Sequence, residues 1–353
     1  MLSGKKWSIA FLALVLVMLG GLGAVTAVVD PYFHYHGPLF GLQYPINNQR
    51  YQNDGIVKHF DYDAVITGMS TAENFKTSEF DELFGTDSVK VCYSGGSFRE
   101  INDNLRRAIE ANPEIRYVLR GLDGGRLFED KDTLSYDNLP LYLYDEYLYN
   151  DVYYVLNKEI LLQSVAEVFA HTKEGKKTTD FDEYSNWTST ARFGREAVEA
   201  AYERQEEALK TSHMNQDNYE TLQGNITQNV VALAKENPDI TFFFYFSPFS
   251  IYQWDAVKQY GFLEMQIEAQ KKATELMLEC DNVYVFSFFD EYDMVCDPDN
   301  YKDILHFREE INSWILHCIY NDEHRLTKEN YEEYYADITD FYMNYDYEQL
   351  FAE

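Results

Sequence analysis

Residues Trp7–Val29 are a run of 23 positions without a charged side chain. In hydrocarbon, every backbone N–H and C=O must be satisfied within the segment, so a single run of this kind can cross only as a helix. At about 1.5 Å per residue it matches a bilayer core of about 30 Å. Lys5 and Lys6 precede it, Asp30 follows it, and the next basic residue is Arg50. That asymmetry predicts a cytoplasmic tail over 1–6, a transmembrane anchor over 7–29 and an extracytoplasmic remainder. A cleaved signal peptide, cut after Val25-Thr26-Ala27, is the competing reading. Its apolar region is long against the roughly 7–15 residues usual there. Both readings export residues 30–353, and the anchor reading makes the lipid bilayer a partner through the N-terminal helix.

The exported part is strongly acidic. Asp and Glu number 60 against 29 Lys and Arg, a formal charge of -31. With Lys5 and Lys6 inside, 27 bases remain outside. Such a field repels phosphate backbones and excludes nucleic acid as a general partner. It favours neutral sugar hydroxyls or a cation-screened polymer. A hydrophobic content of 46% excludes a disordered acidic chain, and 30 Tyr with 24 Phe carry much of the bulk. The four cysteines, Cys92, Cys280, Cys296 and Cys318, show neither C-x-x-C nor zinc spacing. They read either as buried free thiols or as one or two disulfides. No metal or dissociable cofactor is expected. His34 and His36 are two ligands without a third, and in Asp297–Asp303 Tyr301 falls where a calcium loop needs an oxygen ligand and the loop's glycine is absent.

Residues 30–60 read as an irregular aromatic collar. From residue 61 apolar strands and amphipathic helices alternate. Strands are expected at 63–67, 89–93, 115–122, 241–247 and 283–288. Helices are expected at 71–83, 97–112, 219–233, 263–278, 309–319 and, acidic and amphipathic, 327–342 within a C-terminal segment 321–353. Ala111-Asn-Pro-Glu-Ile115 and Glu236-Asn-Pro-Asp-Ile240 both end a helix and open a strand. Proline cannot continue the helix, and it pushes the preceding residue towards extended geometry. The apolar run Thr241-Phe-Phe-Phe-Tyr-Phe-Ser247 predicts a strand covered on both faces, as in a parallel sheet. The fold class is therefore α/β, a sandwich over 61–320 with a mostly parallel sheet. A Tyr-rich and helical insertion is expected over 128–215.

Ligands of such sheets sit beyond the carboxyl ends of the strands. There the sequence places Gly68-Met-Ser70, Ser94-Gly-Gly-Ser97, Gly121-Leu-Asp123, Ser247 and Asp303-Ile-Leu-His306. Ser, His and Asp at one edge are the parts of an acyl-transfer site. Ser70 reads as nucleophile at a helix start, His306 as its base and Asp303 as the group that orients the imidazole. Backbone N–H groups of Ser70, Gly95 and Gly96 read as oxyanion donors. Asp123, Ser247 and the cations Arg99, Arg120 and Arg126 read as substrate contacts. Ser70-x-x-Glu73 and Ser97-x-x-Glu100 are also capping boxes, in which a serine merely starts a helix.

The order of these blocks resembles the SGNH/GDSL hydrolase superfamily. Its nucleophile block is matched by Gly68-Met-Ser70, its glycine block by Gly95 or Gly96, and its D-x-x-H block by Asp303-Ile-Leu-His306. The superfamily's G-x-N-D block is replaced by Gly121-Leu-Asp123, and an ionised Asp cannot donate the hydrogen bond that the Asn supplies. The resemblance covers roughly 60–125 and 240–320. It implies a three-layer, flavodoxin-like sandwich. With a single anchor it is similar to the cell-envelope branch that includes alginate O-acetylation and D-alanyl-teichoic acid transfer proteins. It implies an esterase or acyltransferase acting on an envelope glycopolymer, with a membrane acyl-donor protein as a further partner. The alternative is a non-catalytic scaffold or binding subunit of an envelope assembly, in which Asp123 marks loss of the site.

Overall fold

The computed structural model describes residues 4–205 and 207–351. Their contacts divide the chain into two units: residues 1–61 with 138–180, and residues 62–137 with 181–353.

The first unit begins with the helix Gly4–Val29, which is 26 residues long and apolar enough to cross a membrane. Asp30 ends it with a φ of 48°, and its carboxylate organises the collar. Asp30 Oδ1 accepts from the His34 N–H and the Tyr154 hydroxyl, and Oδ2 accepts from the N–H groups of Tyr35 and His36. A buried carboxylate is tolerated when its lone pairs are filled in this way. Leu143, Tyr154 and Ile160 pack with Tyr32, Tyr35 and Tyr51 beneath it. The Val152–Val155 and Val165–Lys173 helices both contact the long helix, the first near Gly23, where a side chain would meet Val155 and Leu156. His34 meets Asp151, and His36 bonds the Gly37 carbonyl. No cluster of three metal-ligating side chains occurs among the described residues.

The second unit is α/β. Six strands, β1 (Ala64–Thr67), β2 (Ser88–Lys90), β3 (Tyr117–Leu122), β4 (Thr241–Phe246), β5 (Val283–Ser287) and β6 (Arg325–Leu326), form one sheet in the order β2-β1-β3-β4-β5-β6. The first five are mutually parallel, and β6 pairs antiparallel with β5. Every residue of β1 and all but the first of β3 and β4 are buried, so both faces are covered. Each Phe removed from water in β4 contributes about 1.5–3 kcal/mol. Both Asn-Pro joins behave as their chemistry dictates. The helices Phe98–Ala111 and Ala232–Glu236 stop before Asn112 and Asn237, at φ -131° and -128°.

Three elements differ from expectation. The stretch after β1 is a 3-10 turn at Ser70–Ala72, and the helix starts only at Thr77. The helix before the second join is Gln216–Ile226, a π-turn at Thr227–Val231 and Ala232–Glu236. An additional helix, Ile251–Gln259, follows β4. The four cysteines are free thiols, with Cys92, Cys280 and Cys318 buried.

Candidate active site

The switch in strand order falls between β1 and β3, where chains leave the sheet in opposite directions and open a crevice at the carboxyl edge. Ser70 stands there. Gly68, at φ 147°, lets the chain turn out of β1, since a side chain would meet Ala72 at 2.8 Å and the Gly121 backbone at 3.2 Å.

His306 arrives from the other side of the crevice. Its loop is closed by the bridge between Tyr301 and Phe307 and by Lys302 N–H donating to the His306 carbonyl. Ser250 Oγ donates to the Ile304 carbonyl, and the buried Tyr301 hydroxyl donates to Pro248 O, so the loop is pinned to the β4 exit. The result is a continuous relay. Ser70 Oγ lies 2.7 Å from His306 Nε2, and His306 Nδ1 lies 2.8 Å from Asp303 Oδ2. Asp303 Oδ1 also accepts from the N–H groups of Leu305 and His306. Burial pushes the Asp303 carboxyl up, but the His306 bond and charge with those two N–H donors outweigh it, leaving it below the usual range. The His306 and Asp303 side chains keep 19% and 26% exposure, so the relay is open to a substrate.

The two serine caps now separate. Ser97 Oγ accepts from Glu100 N–H while Glu100 Oε2 accepts from Ser97 N–H, the complete capping box. Ser70 caps nothing, and its hydroxyl faces imidazole instead. Because Ser70 opens only a three-residue turn, no helix dipole assists it.

The oxyanion donors narrow in the same way. The Gly96 N–H is committed to the Tyr93 carbonyl at 2.9 Å. Among the described residues nothing accepts from the N–H groups of Ser70 or Gly95. Gly95 sits at φ 61°, and Arg126 Nη2 holds its carbonyl at 3.0 Å. Tyr93 N–H donates to Gly68 O, tying the two donor loops together. Half-buried Asp123 accepts from Gly125 N–H at 2.8 Å. Burial pushes its carboxyl up, against the opposing pull of that bond, Arg126 and His306.

The remaining expected contacts are engaged with other groups of the protein. Arg99 pairs with Asp103 and Asp132 on the surface. Arg120 is buried, donating to the carbonyls of Asn229 and Phe98, and burial pulls its guanidinium down to about 9. Arg126 pairs with Glu129 besides holding Gly95. Ser247 is buried and donates to Thr71 Oγ1 at 3.4 Å, bracing the nucleophile turn.

Trp187 also belongs to the site, and the sequence reading does not single it out. Its indole N–H donates to the Ser70 carbonyl at 3.1 Å, and its ring meets His306 edge-on, 5.4 Å between centroids. Lys302 Nζ lies 3.8 Å from that ring's centroid, a cation–π contact beside the relay. A lone Trp in a Ser/Thr-rich loop was the available signal.

A proton on Ser70 can pass to His306 while Asp303 steadies the imidazolium, which is the chemistry of nucleophilic acyl transfer. Comparison with known proteins finds no matching family model, no matching curated protein and no matching solved structure.

Proposed function

We propose that the chain is a membrane-anchored serine esterase or O-acyltransferase of the SGNH/GDSL type, acting on ester groups of a cell-envelope glycopolymer. The observation that carries the reading is the Ser70–His306–Asp303 relay at the carboxyl edge of a parallel sheet. In the reaction Ser70 Oγ attacks the ester carbonyl and passes its proton to His306 Nε2. The tetrahedral oxyanion lies against the N–H groups of Ser70 and Gly95. Collapse releases the alcohol, which takes the proton from His306. Water or a sugar hydroxyl then attacks the acyl-Ser70 ester, giving its proton to His306; collapse releases the free acid or the new sugar ester, and His306 returns the proton to Ser70 Oγ.

The anchor part of the reading rests on the helix Gly4–Val29. The unit that contains it also exposes Tyr147, Leu148, Tyr149, Tyr153, Leu162 and Phe169. Tyr beside Leu and Phe suits the water–bilayer boundary, where one end of the ring is dry and the other wet. The basic residues before the helix put the N-terminus in the cytoplasm and the relay outside.

The test is labelling of the full-length protein in detergent or nanodiscs with a fluorophosphonate probe. Wild type is expected to label and Ser70→Ala not to. An unlabelled wild type, or equal labelling of both, leaves the scaffold reading in its place.

A further inference from the structure

A cavity of about 390 Å³ opens in the second unit, within the size range of ligand sites. The helices Gln216–Ile226, Ile251–Gln259 and Leu263–Met277 enclose it, with the turn Gly124–Arg126 after β3. None of Ser70, Asp303 and His306 lines it. A molecule held there is therefore bound, not broken.

The walls combine two kinds of unused group. Phe128, Phe249 and Phe262 pair with no other ring among the described residues, whereas Trp254 beside them stacks on Tyr342 at 3.9 Å. Phe262 stays 43% exposed and Phe249 is buried, so the mouth lies at the first and the floor at the second. Gln253 and Gln266 are half-buried on the wall, and their side-chain amides bond to nothing among the described residues. Gln270 is 1% exposed and has no partner for Oε1, nor does buried Trp254 for its indole N–H. A side chain at Gly124 would collide with the amide nitrogens of Gln266 and Gln270, so glycine there is what admits them. Burying unpaired amides is costly, and a wall meant only for hydrocarbon would not carry them. No Asp, Glu, Lys or Arg lines the cavity, so a charged ligand would lose its hydration with no ion in exchange.

We infer that this cavity binds a neutral acetamido sugar. The site is separate from the relay, and the inference stands whether or not Ser70 acts as a nucleophile. The C–H face of a pyranose ring packs on the unpaired Phe rings. Its hydroxyls donate and accept, as the amides of Gln253 and Gln266 do. The acetamido group adds a methyl for the apolar wall and an amide that pairs with an amide. A plain hexose lacks that group, and an amino sugar carries a charge that the cavity does not match.

The experiment is calorimetric titration of the full-length protein in nanodiscs with the dimer of N-acetylglucosamine. Cellobiose is the hydroxyl counterpart, and the dimer of glucosamine the cationic one. The acetamido dimer is expected to bind saturably, about tenfold or more tighter than cellobiose, in wild type and in Ser70→Ala alike. Gln266→Leu keeps the volume and removes the amide, so affinity is expected to fall about tenfold. It also removes an unpaired group, so it should melt no lower than wild type, which separates lost binding from lost folding. Val257→Trp, which fills the cavity, is expected to abolish binding. No saturable binding, or no preference over cellobiose, overturns the inference. Tighter binding of the cationic dimer also overturns it, since the acidic field and not the cavity would then be the attraction. Binding unmoved by both variants places the sugar elsewhere and overturns it as well.

Discussion

His306 can present Nε2 to Ser70 only while Asp303 holds Nδ1–H, so the carboxyl at 303 governs which tautomer faces the nucleophile. Its lowered pKa keeps it ionised when ordinary carboxylates begin to protonate. The stability it contributes is present above the usual carboxyl range and is lost as pH falls through the lowered folded value. Asp303→Asn keeps an oxygen for the Leu305 and His306 N–H groups but favours the wrong tautomer. A fall in kcat of about 10⁴ is expected from the protease precedent, and unchanged turnover would remove Asp303 from the relay. Urea melts of the two proteins should converge at acid pH and diverge above it. Asp123 has the opposite sign. Its raised carboxyl is most compatible with the fold when protonated, and that stability is lost as pH rises through the raised value. Asp123→Asn is therefore expected to melt higher than wild type at neutral pH, with the gain vanishing in acid. Under the proposed serine chemistry it also restores the amide donor of the G-x-N-D block, so kcat should rise, by up to the roughly 10²-fold that one such donor supplies elsewhere. A slower and less stable variant would make Asp123 a substrate-binding group. The order of Ser70, Asp303 and His306 was legible because local turns set each of them. Trp187 was not, because its partner Ser70 lies 117 positions away and nothing local marks the contact.

At the scale of elements, legibility followed the strength of local chemistry. Proline 113 and proline 238 stop helices by removing a donor and clashing with the preceding turn, so both joins were read correctly. The stretch after Ser70 misled because S-x-x-E is a capping sequence wherever it occurs. Here the Thr71 carbonyl accepts from buried Asn312, and the Phe75 carbonyl from Lys90 Nζ, contacts that hold an irregular chain in place of a helix. Residues 138–180 group with the collar through contacts such as Tyr154 to Asp30, which no sequence periodicity reports. The helix Gly4–Val29 offers the element-scale prediction. It exposes Leu14, and its own unit exposes Leu148. With environment-sensitive labels at Leu14→Cys and Leu148→Cys in lipid vesicles, deep brominated lipids should quench the first. Shallow ones should quench the second. A label at Leu14 that reads water would remove the anchor, and one at Leu148 that reads water would remove only the interfacial belt.

At the scale of the whole molecule, the charge of -31 interacts with where the cations ended up. Arg99 and Arg126 pair with acids, and Arg120 is buried against carbonyls. None of the three is left to draw an anionic polymer towards Ser70. Lys302 lies over the Trp187 ring, which itself meets His306. The acidic field is therefore expected to repel a negatively charged substrate and to leave a neutral one unaffected. The Debye length shortens from about 30 Å at 0.01 M salt to about 8 Å at physiological ionic strength. Over that span kcat/KM for an ester on an anionic carrier should rise several-fold, through faster association. The same ester on a neutral glycan should stay flat. A fall with salt for the anionic ester would mean that Lys302 gathers anions locally despite the global field. Lys302→Gln should then flatten the salt response. If it does so, the substrate class shifts from neutral sugar hydroxyls to an anionic envelope polymer.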